Sequence, residues 1–358
     1  MTHINSVITG TGSYIPTVRI TNREFTRNVF FKKDETAIEA LIDEVISKFK
    51  DITGIEERRW ASDDQCTSGI AAIAAEEAIA SAGIDRETID QIIIAHNFGD
   101  IVPGTIQTDI LPSIGSRVKH LLGIKNPACI PYDLIFGCPG WVQGVIQADA
   151  FIKSGLAKRC LIIGADTLSR MIDKHDRDCM IFADGAGAAI VDAVESEEKY
   201  GVMSSSMMSS TGEEVGYLHL GKSFHPDSDP KVRYIKMEGR KIYEYALINA
   251  PSAMKAAMDK SGISAEDLKK IVIHQANEKM DEAIVSRFIR KCKVSKSISD
   301  LMPMSIKELG NSSVATIPTL YDMILKGKID NHKIEKGDVI MFTSVGAGMN
   351  INAVVYKV

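Results

Sequence analysis

Cys138 lies in the stretch "FGCPGWVQGV", between Gly137 and Pro139 and directly before an apolar pattern of helical spacing. A helix N-terminus carries a partial positive charge of roughly +0.5 elementary charge. We expect this charge to lower the thiol pKa, because it stabilises the thiolate, the nucleophilic form of cysteine. Gly137 permits a sharp turn, and Pro139 suits a first helical turn, where no amide hydrogen is needed. The stretch therefore predicts an activated thiol.

Two other polar residues stand where they could meet this thiol. His274 directly follows the apolar run "KKIVI", which is typical of a buried strand, and ligands collect at the carboxyl ends of strands. Asn311 is predicted to begin the helix of "GNSSVATIP". Both side chains can donate hydrogen bonds to an oxygen that gains negative charge, and a thiolate that attacks a thioester forms an acyl-enzyme. Gly346 and Gly348, in "SVGAGMN", would let a backbone amide approach the same site closely.

Each of these side chains also has a common structural explanation. A lone cysteine is often a small core residue, a histidine is often structural or at the surface, and an asparagine often caps a helix. The combination favours one shared site, because a cysteine and an asparagine stand at two helix starts while a histidine ends a strand.

The chain nearly repeats itself. Gly83 matches Gly262 and Ile94 matches Ile273, each 179 residues further on, which is half of the 358-residue chain. In both copies an Ala-rich helical pattern ends at the glycine, and a β-branched run typical of a buried strand follows. Such self-similarity indicates a duplicated unit. Chance similarity between helix–glycine–strand patterns is the alternative, since these occur throughout α/β proteins.

From the repeat we predict an α/β fold of two β/α units packed together. Residues 1–195 form the first unit and carry the cysteine, and residues 196–358 form the second unit with the histidine and the asparagine. The segment from Gly201 to Lys236 is rich in Ser, Met, His and Asp, and we interpret it as a long connection between the units.

Composition excludes several classes of function. The formal net charge of -5 gives no overall attraction to nucleic acid or to an anionic membrane. No signal peptide is expected at the N-terminus, and no apolar run approaches the roughly 20 residues that cross a bilayer. Six cysteines without a CxxC pair predict free thiols, no zinc site and a reducing cytoplasm.

Five ordered stretches resemble the thiolase-fold condensing enzymes, most closely the β-ketoacyl-acyl-carrier-protein synthase III family. They are "TGIEERRW", "DLIFGCPGWVQGV", "FADGAGAAIV", "VIHQAN" and "GNSSVATIP", beginning at residues 53, 133, 182, 272 and 310. The resemblance implies a thiolase-like fold of five layers, αβαβα, and a homodimer. It places the family's Cys-His-Asn triad on Cys138, His274 and Asn311, where the asparagine argues for decarboxylative condensation.

The resemblance implies a reaction in two stages. An acyl group moves from a thioester to Cys138, and a malonyl group on acyl carrier protein then loses carbon dioxide and attacks that acyl group. His274 and Asn311 would stabilise the enolate oxygen, and the amides of Cys138 and Ala347 would hold the tetrahedral oxyanion. The product is a 3-oxoacyl-carrier protein of fatty-acid biosynthesis, and no metal or redox cofactor is implied.

Some positions differ from the family pattern. Substrate contacts are expected at Arg177, Gly239, Arg240, Lys279, Gly346 and Gly348. Arg240 and Lys279 stand where Asn and Arg are usual, and Lys lacks the planar guanidinium of Arg. Lys48 and Ile52 stand where Trp and Arg commonly hold the adenine of coenzyme A. These changes favour a primer on a carrier protein over coenzyme A.

Two further stretches bear on the partners. Residues 98–120 are longer than the usual segment, which in the family helps close the acyl pocket at the dimer interface, so we expect a non-standard primer, either a longer or an unusual acyl chain. Basic residues cluster after His274 and predict a dock for an acidic carrier protein, at Arg287, Arg290 and Lys291, with Lys293 and Lys296 nearby. A solvated helix face is the alternative explanation for this cluster.

Three other functions are alternatives to fatty-acid condensation. A ketosynthase or acyltransferase of secondary metabolism would share the fold and the triad. A catalytically silent partner subunit would tend to lack the nucleophile, and here the cysteine is present. The third is a dinucleotide-binding dehydrogenase, suggested by "TGTGS" at Thr9. This motif is a weak signal, because the third glycine and the acidic partner of the ribose are missing.

Overall fold

The computed structural model describes residues 2–358. Its strands are β1 (His3–Tyr14), β2 (Val18–Thr21), β3 (Glu57–Trp60), β4 (Gln91–Ala95), β5 (Asp100–Ile101), β6 (Thr108–Asp109), β7 (Ile130–Leu134), β8 (Arg159–Thr167), β9 (Asp184–Ser196), β10 (Gly201–Ser209), β11 (Leu218–Gly221), β12 (Tyr234–Met237), β13 (Leu268–Ile273), β14 (Val339–Gly346) and β15 (Asn350–Lys357). Its α-helices are α1 (Ile42–Thr53), α2 (Thr67–Ala82), α3 (Ile114–Leu121), α4 (Gly140–Lys153), α5 (Gly239–Ser261), α6 (Glu278–Cys292), α7 (Ile298–Leu301), α8 (Ile306–Leu309) and α9 (Thr316–Leu325).

Two sheets form the centre of the molecule. The first has the order β1-β9-β8-β4-β7, and the second has the order β10-β15-β14-β13. In the first sheet β4 runs parallel to β7 and β8, and in the second β13 runs parallel to β14. The chain passes from one sheet to the other in the turn between Ser196 and Gly201. The predicted boundary at residue 195 stays a prediction about domains.

Helices cover and separate the two sheets in five layers. Helices α2 and α3 pack on the outer face of the first sheet, and α5 and α6 pack on the outer face of the second. Helices α4 and α9 lie between the sheets, where Trp141 and Tyr321 meet Phe342 edge to face at 5.4 and 5.0 Å. This is the predicted αβαβα arrangement, and it leaves a sheet buried on both faces in each half.

The repeated pattern in the sequence corresponds to repeated structure. Helix α2 ends at Gly83 and helix α5 ends at Gly262, with φ of 64° and 71°, the left-handed conformation that glycine adopts most readily. The buried strands β4 and β13 follow these helices. Their carboxyl ends are therefore the two places where side chains of both halves can meet.

The segment from Gly201 to Lys236 is not a simple connection, and that prediction is wrong. Strand β10 pairs antiparallel with β15 at the edge of the second sheet, and β11 pairs with β12 in a hairpin. The serines and methionines of β10 give no alternating apolar pattern, so the sequence did not predict this edge strand. In residues 2–358 all six cysteines are free, and none of the helices combines the length and the apolar character needed to span a bilayer.

Candidate active site

A cavity of about 220 Å³ lies between the two halves and contains all three predicted triad residues. Its surface is mostly apolar. The lining residues are Asn97, Phe98, Cys138, Leu168, Phe182, Leu218, His219, Leu220, Ile235, Met237, Ile242, His274, Ala276, Met280, Asn311, Ser313, Val345, Gly346, Ala347 and Met349. The thiol, the imidazole and the amide therefore share one enclosed space, although 37 to 173 residues of sequence separate them.

Cys138 stands in the turn that joins β7 to α4. The helix begins at Gly140, and Pro139 is its N-cap, so the sulfur lies ahead of the first helical residue. Burial raises the pKa of the Cys138 thiol to about 11, and a hydrogen bond from Ser313 opposes that rise. The predicted net lowering of this pKa is therefore wrong. Desolvation of the thiolate in the cavity wall outweighs the partial charge of the helix.

His274 follows β13 directly and is buried. Its Nδ1 lies 2.7 Å from the hydroxyl oxygen of Thr316, and that hydroxyl donates to the carbonyl oxygen of Ser313 at 2.9 Å. Because a hydroxyl has one hydrogen, Thr316 accepts from Nδ1–H, which leaves a lone pair on Nε2. Burial lowers the pKa of His274 to about 3. The imidazole is therefore neutral, with Nε2 available to accept a proton.

Asn311 does not begin a helix. It lies two residues before a 3₁₀ turn, Ser313–Ala315, which leads directly into α9 at Thr316. Its side-chain oxygen accepts a hydrogen bond from the amide of Ser313 at 2.8 Å, and its neighbour Phe182 joins it in an isolated bridge. Because the oxygen is engaged by this turn, the amide NH₂ group is the part of the side chain that can donate to a bound oxygen.

The backbone amides of Cys138 and Ala347 lie in two loops that press together. A side-chain carbon at Gly137 would come within 2.8 Å of the amide nitrogen of Ala347. A side-chain carbon at Gly346 would come within 2.7 Å of the amide nitrogen of Cys138. Only glycine at both positions permits this approach. That these two N–H groups bind an oxyanion stays a prediction.

Three residues of the site were missed by the sequence analysis: Asn97, Ser313 and Thr316. Asn97 lies two residues after β4, so a search of the residues that closely follow buried strands would have found this asparagine as it found His274. Ser313 and Thr316 lie within "GNSSVATIP", where only the asparagine was considered. Their hydroxyl partners are distant in sequence, and no local pattern identifies them.

Of the other predicted substrate contacts, only Gly346 belongs to the cavity wall. Arg177 is largely exposed, with Asp178 3.9 Å away, and Arg240 extends into solvent and pairs with Glu244. Gly239 begins α5, and Lys279 is exposed on α6. Gly346 lines the cavity, while Gly348 adopts a left-handed φ of 73° in the adjacent turn. The residues outside the cavity stay predicted contacts for the part of the substrate that extends beyond the cavity.

Helix α6 carries the predicted basic cluster. Arg287, Arg290 and Lys291 are exposed on this helix, spaced by three and four residues, so they share one face. Met280, on the same helix, lines the cavity. The basic face is therefore about 10–17 Å along the helix from the cavity wall, at 1.5 Å per residue.

Comparison with known proteins agrees with this geometry. The family model for 3-oxoacyl-[acyl-carrier-protein (ACP)] synthase III matches residues 132–211, and the model for its C-terminal part matches residues 258–358. The chain is 30% identical to a β-ketoacyl-[acyl-carrier-protein] synthase III of Erythrobacter litoralis, over 98% of each chain. It is 32% identical to one of Caldanaerobacter subterraneus, over 98% of this chain and 97% of that one.

A solved structure shows the same fold. The 3-oxoacyl-[acyl-carrier-protein] synthase III of Aquifex aeolicus superimposes with a TM-score of 0.79 at 28% identity, covering 99% of this chain and 100% of that chain. Full-length coverage at this score means that both halves and their packing are shared. The chain thus belongs to the 3-oxoacyl-[acyl-carrier-protein] synthase III family.

Proposed function

We propose that this protein is an acyltransferase that condenses an acyl thioester with malonyl-acyl-carrier protein to give a 3-oxoacyl-carrier protein in fatty-acid biosynthesis. Cys138, His274 and Asn311 are its catalytic residues. One observation carries the proposal: these side chains come from three separate segments and line one apolar cavity. The reaction needs no metal or redox cofactor.

The first stage transfers the acyl group. The Cys138 thiol and the His274 imidazole are both neutral at rest, so the thiol proton moves to Nε2 as the sulfur attacks the thioester carbonyl. The amides of Cys138 and Ala347 stabilise the resulting oxyanion. When the intermediate collapses, the donor thiolate leaves and takes the proton from the imidazolium. The products are the acyl-enzyme and a free donor thiol.

The second stage forms the carbon–carbon bond. The malonyl thioester loses carbon dioxide, and its electron pair becomes an enolate whose oxygen accepts hydrogen bonds from Asn311 and from His274. Nε2 must carry a hydrogen for this purpose. Thr316 permits that tautomer by turning its hydroxyl hydrogen from the Ser313 carbonyl to Nδ1. The enolate attacks the acyl carbonyl, Cys138 leaves as a thiolate, and it regains a proton from solvent.

The primer is an apolar acyl chain in this proposal. The cavity volume of about 220 Å³ lies below the roughly 300–1,000 Å³ of sites for drug-sized ligands. A chain of a few carbons suits that volume better than a long fatty chain. Leu218, Leu220 and Ile235 of the β11–β12 hairpin form part of the wall, so this hairpin contributes to the choice of primer.

The partners are an acidic carrier protein and a second copy of the chain. The basic face of α6 supports the first, because opposite charge speeds the encounter of two proteins. The second is supported by β7, an edge strand of the first sheet that carries exposed apolar residues at its ends, Ile130 and Ile135. An open edge of this kind pairs readily with another strand. We place the reaction in the cytoplasm, where six free thiols stay reduced.

Intact-protein mass spectrometry tests the roles of the three residues. Incubation with a panel of acyl thioesters should add an acyl mass to the parent protein and none to Cys138→Ala. His274→Ala and Asn311→Ala should retain some acyl loading but lose release of labelled carbon dioxide from malonyl-carrier protein. Normal decarboxylation by both variants would show that the roles are assigned wrongly. The acyl group that loads fastest identifies the primer, and a primer of secondary metabolism would favour the alternative pathway.

A further inference from the structure

A chain of hydrogen bonds extends from the Cys138 sulfur into the first sheet. The Ser313 hydroxyl lies 3.2 Å from the sulfur, and the side-chain nitrogen of Asn97 lies 2.9 Å from that hydroxyl. The same nitrogen lies 2.6 Å from a carboxylate oxygen of Asp166, whose other oxygen is 2.8 Å from the Asn97 backbone nitrogen. Four segments that are distant in sequence are thus joined behind the sulfur.

The donors and acceptors in this chain follow from the ionised form of Asp166. An ionised carboxylate only accepts, so the NH₂ group of Asn97 faces Asp166 and gives one hydrogen to it. The second hydrogen of that group goes to the Ser313 oxygen. The serine oxygen accepts from Asn97, so its own hydrogen is left for the Cys138 sulfur.

The backbone at Ser313, which presents the hydroxyl to the sulfur, has an unusual conformation. Its φ is 53°, in the left-handed region that residues other than glycine seldom adopt. The side chain of Asn311 fixes the turn by accepting from the Ser313 amide at 2.8 Å. A conformation of this kind costs free energy of order 1–3 kcal/mol and persists only where its surroundings enforce it, often at functional sites.

Asp166 anchors the far end of the chain. It is buried in β8, and burial raises its pKa to about 7. Its ionised form is the one that accepts both N–H groups of Asn97. Hydrogen bonds to a charged partner are roughly twice as strong as neutral ones, so the ionised form orients the asparagine most firmly.

We propose that Ser313 is a positioning residue that donates its hydroxyl hydrogen to the Cys138 sulfur and stabilises the thiolate, while Asn97 and Asp166 hold that hydroxyl in place. The inference deepens the proposed function, since it rests on Cys138 as the nucleophile. Both stages place negative charge on this sulfur: the charge develops as the thiol loses its proton during attack in the first stage, and it is complete when Cys138 departs as a thiolate in the second. Ser313 counters part of the burial cost that the site imposes on that anion.

Alkylation by iodoacetamide tests the proposal without any acyl substrate. The rate of modification of the Cys138 peptide is measured by mass spectrometry from pH 7 to 9.5. Below the thiol pKa this rate is proportional to the thiolate fraction, so loss of a charge-assisted hydrogen bond should lower it about tenfold in Ser313→Ala. Ser313→Gly should give the same loss, because it removes the hydroxyl and relieves the left-handed backbone.

Matched controls separate the hydroxyl from general disruption. Cys66 and Cys292 in the same molecules, both partly exposed, should react at unchanged rates. Ser312→Ala, which removes the neighbouring hydroxyl, should leave the Cys138 rate unchanged. Asn97→Ala should lower the rate by about threefold to tenfold, and the double variant with Ser313→Ala should be no slower than Ser313→Ala alone, because the residues act in series.

The outcomes are decisive for the inference and separate it from the proposed function. Equal alkylation rates in the parent protein, Ser313→Ala and Ser313→Gly would overturn it, whatever the acyltransferase activity. Additive losses in the double variant would overturn the assigned order of the chain. Loss of alkylation as predicted, in a protein that accepts no acyl thioester, would support the inference and contradict the proposed function.

Discussion

At the sulfur of Cys138 two electrostatic effects oppose each other. The positive end of α4 favours the thiolate, and desolvation in the cavity wall disfavours it, with the result that the thiol pKa rises to about 11. The neutral imidazole of His274 beside it shows the same dominance of burial. Because the Cys138 thiol and the His274 imidazole are both neutral at rest, the proton moves from sulfur to imidazole during the attack on the thioester and not before it.

Thr316→Val tests the tautomer of His274. Valine has the shape of threonine but cannot accept from Nδ1–H, so Nε2 is no longer held as the proton acceptor. We expect the rate of acyl transfer to fall about 10- to 100-fold, within the range that general acid–base groups contribute. Thr319→Val is the control, because Thr319 is a buried threonine of the same helix that bonds only to the Ala186 carbonyl. Equal activity of the two variants would argue against the assigned tautomer.

The raised pKa of Asp184 makes the free energy of unfolding depend on pH. Burial raises the pKa of Asp184 to about 6, from 3.8 in the unfolded chain, so the folded protein retains a proton that the unfolded chain has lost. Stability from this group is therefore complete below about pH 4 and is lost as the pH rises to about 6. In urea unfolding at pH 4 to 7, the free-energy advantage of the parent over Asp184→Asn should decline by on the order of 3 kcal/mol. A difference that is constant with pH would contradict this.

At the scale of elements, the loops before helices hold the chemistry. Cys138 precedes α4 and Asn311 precedes α9, and neither residue is helical. The helices fix these loops between the two sheets, while the residues before the helix keep backbone freedom. Strand ends supply the rest, since Asn97 follows β4 and His274 follows β13. Rigid elements thus orient side chains that loops present to the cavity.

Helix α6 offers a test of carrier-protein docking. Replacing Arg287, Arg290 and Lys291 by Glu reverses the charge of its basic face. We expect the KM for malonyl-carrier protein to rise about tenfold or more, with little change in acyl loading from a small thioester that needs no docking. The matched control is Lys328→Glu, an exposed charge reversal after α9. An equal loss of activity with malonyl-carrier protein and with the small thioester would indicate that the substitutions disrupt α6 itself and would contradict carrier-protein docking on this face.

At the scale of the molecule, the cavity exists because two similar halves pack against each other through α4 and α9. The layer between the sheets is continuous, with Val272 and Phe342 of the second half beside Ile93 and Val191 of the first. Neither half alone would close the cavity around the sulfur. The same architecture exposes β7 at an edge, which is where a second copy would extend the sheet.

Light scattering tests the homodimer. Leu111 and Ile135 are 88% and 63% exposed near this edge, which is unusual for large apolar side chains of a monomer. Leu111→Asp with Ile135→Asp should convert a dimer of the 39.1 kDa chain to a monomer. Leu156→Asp is the control, because Leu156 is 72% exposed beyond the other end of α4. A parent protein that is already monomeric, or a double variant that stays dimeric, would contradict this interface.

The sequence by itself determined the parts of this protein that local pattern encodes. Glycines end α2 and α5, β-branched runs form β4 and β13, and the repeat predicts two packed units. The five ordered stretches that resemble the family indicated both that family and the residues Cys138, His274 and Asn311. These features depend on backbone conformation and residue spacing, which neighbours in sequence largely decide.

Tertiary structure decided the state of the chemical groups. The thiol pKa depends on burial by both halves, and the hydroxyl at Cys138 comes from Ser313, 175 residues away. Asn97, which orients Ser313, is 216 residues from it. The edge strand β10 and the hairpin on the cavity wall are also defined by pairing with distant segments. Desolvation and hydrogen bonding act through space, so only the packed chain fixes which proton lies on which atom.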